Sequence, residues 1–165
     1  MMWLRLILAV AVCLVIPVEP SKDVMHQMAL KFGKPIKLCQ QELGADDSVV
    51  KEFLDFWKDG YVMKDRQTGC MLICMAMKLE LLDSAMEIHH GSTFAFAKAH
   101  GADEAMAQQI IDIVHGCTTT YPAAETNDPC QRAVNVAMCF KAHVHKLNWA
   151  PDVELLVADF LAESQ

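Results

Sequence analysis

Arg66-Gln67-Thr68-Gly69-Cys70-Met71-Leu72-Ile73-Cys74-Met75-Ala76-Met77-Lys78 is the stretch that decides the fold. It holds no proline and only one glycine, and it continues in helix-forming residues to Leu82. The spacing predicts a helix over 66–82, with Cys70 and Cys74 one turn apart on one face. Two sulfurs aimed the same way from one helix point at partners on other elements, not at each other. The stretch is therefore the hub of a cross-linked helical structure.

Four further cysteines lie on either side of this hub: Cys39, Cys117, Cys130 and Cys139. The six leave gaps of 30, 3, 42, 12 and 8 residues. A seventh, Cys13, sits in Leu6 to Ile16, an unbroken apolar run. That run follows the basic Met1-Met2-Trp3-Leu4-Arg5 and precedes the breaker Pro17-Val18-Glu19-Pro20. This order describes a secretory signal peptide over 1–20, cut near Pro20–Ser21. The run is short for a membrane span, so an uncleaved anchor is the lesser reading. Removing it leaves an even number of cysteines in an oxidising compartment, which predicts three disulfides. Of the fifteen possible pairings, Cys70–Cys74 is excluded by the shared helix face. Cys130–Cys139 is excluded because nine helical residues span about 13.5 Å. Ten pairings survive. A zinc site at Cys70 and Cys74 lacks a second matching pair.

The remainder reads as one domain over 21–165, all helical. Val24, Met28 and Phe32 share a face that ends at Gly33. Asp46-Asp47-Ser48 caps a helix through Val49, Phe53, Phe56 and Trp57. His90–His100 is a short helix stopped by Gly101. Asp103 caps a helix carrying Met106, Ile110, Ile113, Val114 and Cys117. Asp128-Pro129 starts another, with Asp as cap and Pro at the first helical position. After Ala150-Pro151, Val153, Leu156, Val157, Phe160 and Leu161 form an amphipathic tail flanked by Asp152, Asp159 and Glu163. Such a short helix is marginal alone in water and needs an apolar surface to dock on.

Composition narrows the function classes. Of the 165 residues, 53% are hydrophobic and 21% charged, so the chain is globular. The net charge of −7 repels phosphate backbones and argues against nucleic-acid partners and membrane attack. No serine stands in a G-x-S-x-G elbow, and Asp112 and His115 beside Cys117 have the wrong order for a small disulfide-rich lipase. The residues point away from an enzyme and suggest no cofactor or metal.

Longer strings sharpen the picture. Phe56-Trp57-Lys58, Gly69-Cys70, His89-His90-Gly91, His100-Gly101-Ala102-Asp103-Glu104, Met106-Ala107-Gln108-Gln109, His115-Gly116-Cys117 and His145-Lys146-Leu147-Asn148-Trp149, with the cysteine spacing, resemble lepidopteran pheromone-binding proteins of the six-cysteine odorant-binding family. The resemblance covers essentially the whole chain after the signal. It implies a bundle of about six helices around a closed apolar pocket, with disulfides Cys39–Cys74, Cys70–Cys130 and Cys117–Cys139. It places Met25, Phe32, Phe56, Trp57, Leu72, Phe96, Ile111, Val114 and Phe140 on the pocket wall. Some members carry serine where Ala76 stands, so an alcohol head group loses that partner here. An aldehyde or acetate is met instead by Arg132 or a backbone N–H. The loop between Cys117 and Cys130 is slightly longer than in some relatives, which shifts Thr118–Thr120.

The implied function is a secreted carrier. It takes a long-chain aliphatic alcohol, aldehyde or acetate through antennal sensillum lymph to an olfactory receptor, alone or as a homodimer. A carrier of general odorants, hormones or lipids with the same fold is the alternative. Two expectations concern release. Ionised Asp152, Asp159 and Glu163 bar the tail from an apolar pocket, and acid, by neutralising them, admits it. His89, His90 and His115, at the mouth by resemblance, gain charge in acid and loosen the closed form, with Asp83 as partner of His115. His26, His100, His143 and His145 are read as surface or structural histidines.

Overall fold

The structure, a computed structural model, describes residues 20–123 and 127–163. Residues 1–19 of the expected signal peptide, with Cys13, lie outside the described residues. The elements are α1 (Pro20–Gly33), α2 (Ile36–Leu43), α3 (Asp47–Asp55), α4 (Arg66–Lys78), α5 (His90–Ala99), α6 (Glu104–Thr120), α7 (Pro129–Lys146) and α8 (Val153–Glu163). Among the described residues no sheet forms; one isolated bridge joins Leu82 to Ile88.

Helix starts follow their capping residues. Asp103 Oδ1 accepts from the Met106 N–H at 2.7 Å. Asp128 Oδ1 accepts from Cys130 and Gln131 N–H groups at 3.1 and 3.2 Å, with Pro129 opening α7. Asp46 sits at the start of α3 without a side-chain cap bond.

Three departures have physical causes. The count exceeds six because Pro35 separates α1 from α2, and because the tail folds as α8. The helix expected over 66–82 stops at Lys78. Glu80 takes a left-handed φ of 57°, and the Leu81 N–H turns back to the Ala76 carbonyl. The third departure is α3, which ends at Asp55, so Phe56 and Trp57 lie in the turn that follows it.

The disulfides are Cys39–Cys74, Cys70–Cys130 and Cys117–Cys139. They tie α2 to α4, α4 to α7 and α6 to α7, closing separations of 35, 60 and 22 residues. Each such closure is worth roughly 2–4 kcal/mol. Helices α4 and α7 lie so close that a Cβ on Gly69 would stand 1.8 Å from the Cys130 carbonyl oxygen, so glycine is required there.

Two apolar clusters make the core. One joins Val24, Met25, Met28, Trp57, Ala97, Ile110, Val144 and Leu156; the other joins Ile36, Cys39, Val49, Met71 and Met75. Phe160 of α8 packs against both.

Candidate functional site

Between the two clusters lies a cavity of about 320 Å³, at the small end of the range for ligand pockets. Its wall draws on the loop before α5 and on every helix except α2's outer turns, and it is overwhelmingly apolar. Glu87, Thr93, Thr118 and Arg132 are its polar residues.

Met25, Phe32, Phe56, Trp57, Leu72, Ala76, Phe96, Val114, Arg132 and Phe140 all line this cavity. Ile111 does not. It is buried at 8% exposure, but one helical step turns it away from the face of α6 that presents Ile110 and Val114. Ile110 is the lining residue that face implies. Ala76 contributes a methyl group and no hydroxyl.

The aromatic wall is held from behind. Phe56 packs edge-on to Trp57 at 4.9 Å between centroids, and Trp57 meets Phe140 at 6.4 Å. Lys141, next to Phe140, is 5% exposed. Its ammonium donates to the Lys58 and Tyr61 carbonyls at 2.6 and 2.8 Å, and lies 5.7 Å from the Phe56 and Tyr61 ring centroids. Burial pushes the Lys141 pKa below its ordinary value, opposed by the Asp59 carboxylate. One turn on, His145 Nδ1 is 3.1 Å from Asp59. α7 thus grips the turn that carries Phe56 and Trp57 at two points. Tyr61 in that turn has its pKa raised, first by burial and then by the hydrogen bond to Glu52.

The mouth is polar. Glu87, His90, His115, Thr118 and Arg132 line a concavity that shares Glu87, Thr118 and Arg132 with the main cavity. His90 and His115 rings are 5.6 Å apart. His89 plays a different part: its Nδ1 accepts from the Ser92 N–H at 3.0 Å and caps α5. Among the described residues Asp83 makes no hydrogen bond or ion pair to His115. Its carboxylate accepts from the Ala85 and Glu87 N–H groups at 2.8 and 3.0 Å and shapes the loop. Thr118, Thr119 and Thr120 extend α6, their hydroxyls donating to the His115 and Gly116 carbonyls.

The tail occupies part of the site. Leu156, Val157 and Phe160 of α8 form cavity wall. Its acidic flank is outside. Asp152 accepts from the Leu155 N–H at 2.9 Å at the start of α8. Asp159 lies 2.9 Å from His26 Nε2, and Glu163 lies 3.3 Å from Lys31 Nζ, with side chains 46% and 44% exposed. With α8 docked, Asp152, Asp159 and Glu163 lie outside the cavity, so this arrangement does not bury their carboxylates in it. The amphipathic helix puts its apolar stripe inward and sets Asp159 and Glu163 against α1, while Asp152 caps its start. Of the two readings of His26, surface or structural, the geometry is the structural one: it is buried against the tail, and nothing local to residues 20–33 could show a contact 133 positions away.

Comparison with known proteins agrees with this architecture. The model of the PBP/GOBP family matches residues 21–143. Pheromone-binding protein 2 of Epiphyas postvittana is 46% identical over 161 residues, 96% of each chain. General odorant-binding protein 1 of Bombyx mori is 32% identical over 164 residues, 99% of this chain and 98% of that one. The crystal structure of Epiphyas postvittana Pheromone Binding Protein 3 is 38% identical, with a TM-score of 0.65 over 71% of this chain and 98% of that one. The apolar cavity, the three disulfides and these matches together establish that the chain belongs to the PBP/GOBP family of pheromone- and odorant-binding carriers.

Proposed function

We propose that this protein carries a long-chain aliphatic alcohol, aldehyde or acetate in its cavity and releases it when acid favours docking of the C-terminal helix. The carrying observation is that Leu156, Val157 and Phe160 stand in the cavity wall. A ligand filling the cavity and a docked tail compete for the same apolar surface. Each buried CH₂ contributes about 0.8 kcal/mol. A dozen give about 10 kcal/mol before ordering costs, enough for micromolar binding or tighter.

The proton-sensitive groups that face the tail are His26 and Lys31 on α1, opposite Asp159 and Glu163. His26 and Asp159 attract as ions only when the imidazole is protonated, so acid strengthens docking through the histidine. At the mouth, protonation of His90 and His115 sets two like charges 5.6 Å apart beside Arg132. Protonation of His89 Nδ1 removes the acceptor that caps α5. These changes loosen the mouth as the tail closes on the cavity. Secretion after removal of 1–20, residence in antennal sensillum lymph and delivery to an olfactory receptor complete the reading. The three disulfides suit such an oxidising compartment. Higher identity to the pheromone-binding relative than to the general odorant-binding one favours a pheromone-type ligand.

The test is binding of a panel of C12–C16 alcohols, aldehydes and acetates at pH 7 and pH 5, with and without residues 152–165. Tight binding at pH 7 that weakens at pH 5 only in the full chain is the expected result. Equal binding at both pH values in the full chain rejects the release mechanism, and no binding at either rejects the carrier.

A further inference from the structure

Three of the four polar residues on the cavity wall are already engaged. Arg132 Nε donates to the Tyr121 carbonyl at 2.7 Å, and its Nη1 is 3.6 Å from Glu87 Oε1. Thr118 Oγ1 donates to the His115 carbonyl at 2.9 Å. Thr93 differs. It is 8% exposed and lines the cavity, yet its hydroxyl has no hydrogen-bond partner among the described residues. A helical threonine ordinarily bonds back to the carbonyl one turn earlier, as Thr119 does to His115. Thr93 makes no such side-chain bond; the His89 carbonyl takes its backbone N–H instead.

The Thr93 hydroxyl is accessible and not sealed in the protein: the buried side-chain atom left without a partner among the described residues is His145 Nε2. Thr93 therefore offers an uncommitted donor in an otherwise apolar wall. Ala76, on the same wall, offers none.

We infer that the Thr93 hydroxyl is the hydrogen-bond donor to the terminal oxygen of the bound ligand, and that it favours carbonyl head groups, aldehyde or acetate, over alcohols. The inference rests on the carrier reading and names the head-group chemistry of that site. A carbonyl oxygen accepts the Thr93 proton and brings no proton of its own. An alcohol brings a second O–H. Two hydroxyls facing each other satisfy one proton and leave the other to find a further acceptor in a wall that is overwhelmingly apolar. A plain hydrocarbon offers the Thr93 hydroxyl no acceptor.

The experiment compares the full chain with Thr93→Val, which keeps shape and removes the hydroxyl, and Thr93→Ser, which keeps the hydroxyl. Each is titrated at pH 7 with an aldehyde, an acetate, an alcohol and a hydrocarbon of one chain length. The infrared carbonyl band of the bound aldehyde is recorded in parallel. T93V is expected to lose about 5- to 15-fold in aldehyde and acetate affinity, and to change hydrocarbon affinity by less than about 2-fold. Its carbonyl band returns to the frequency of an apolar solvent, and T93S retains both the affinity and the shifted band. An equal loss for all four ligands makes Thr93 a packing residue and overturns the inference; so does no loss for any. If the unsubstituted protein binds none of the four, the carrier reading itself fails. If it binds all four and T93V is indifferent, only the Thr93 inference fails.

Discussion

Replacing Gly33 by alanine separates the tail from the rest of the molecule. A Cβ at Gly33 would stand 2.8 Å from Phe160 Cε2 and 3.2 Å from Cδ2, so the docked ring has to move. Overpacking of this kind costs about 1–3 kcal/mol. Within α1 the same change favours the helix by up to about 1 kcal/mol. The domain should keep its stability while tail docking weakens about 5- to 140-fold. A docked tail lowers apparent ligand affinity in proportion to the undocked fraction. Ligand affinity at pH 5 should therefore rise in G33A, up to the ceiling set by a chain ending at Pro151. The assay is displacement of a fluorescent apolar probe at pH 7 and pH 5 by four proteins: unsubstituted, G33A, the shortened chain, and G33A in the shortened chain. The added methyl also trims the cavity, and the double cycle isolates that effect. G33A should act in the full chain and be silent, within about 2-fold, in the shortened one. An equal effect in both, or none in either, refutes the claim that Phe160 and the ligand compete.

Asp159→Asn removes half of the His26 pair, which is partly solvated and worth about 1 kcal/mol or less. Ligand affinity near pH 5.5 should rise up to about 5-fold, with little change at pH 8; if neutralising the tail were what admits it, D159N would weaken binding at pH 7 instead. Lys141→Met strips the Lys58 and Tyr61 carbonyls of two charge-assisted bonds. It should destabilise by about 1–3 kcal/mol and shift Trp57 emission to the red, read in a Trp149→Phe background by chemical denaturation and fluorescence. Arg66 holds the Asp128 carboxyl below its ordinary value of 3.8. Its contribution is thus complete above that unfolded value and is lost as pH falls through the lower folded one. Denaturation midpoints of the unsubstituted protein and Asp128→Ala should differ most above pH 5 and converge toward pH 2.

What the sequence disclosed follows the range of the interactions that carry it. Asp103 and Asp128-Pro129 mark their helices because a cap and its amides lie within three residues. The apolar faces of α1, α6 and α7 are legible because a helix repeats every turn. Ile111 shows the limit: periodicity says that a residue is inward, while one helical step decides whether it faces packed core or open cavity. α2 escaped notice because eight residues behind Pro35 hold too few turns to display a period. The disulfide pairing needed the family resemblance, since ten arrangements satisfied local geometry. Thr93 gave no signal. A threonine between Ser92 and Phe94 is ordinary until its neighbours leave its hydroxyl alone.

The tail shows why patterns of charge mislead when read without their surroundings. Asp152, Asp159 and Glu163 fall on one flank of α8, and that much was legible. Whether such a flank obstructs docking depends on what it meets, and that is set by α1, more than 120 residues earlier. Because His26 and Lys31 stand opposite them, Asp159 and Glu163, which looked like part of a barrier to entry, are held as anchors. Loss of the Asp159 charge would then remove an anchor of the docked tail and not a barrier to its docking. A switch built on carboxylate neutralisation alone would instead strengthen as pH falls and level off once the carboxylates are protonated. Apparent ligand affinity followed in fine steps from pH 8 to pH 3, in the unsubstituted protein and in D159N, separates an anchor from a barrier: an anchor makes D159N bind ligand more tightly where the tail docks, and a barrier makes it bind more weakly.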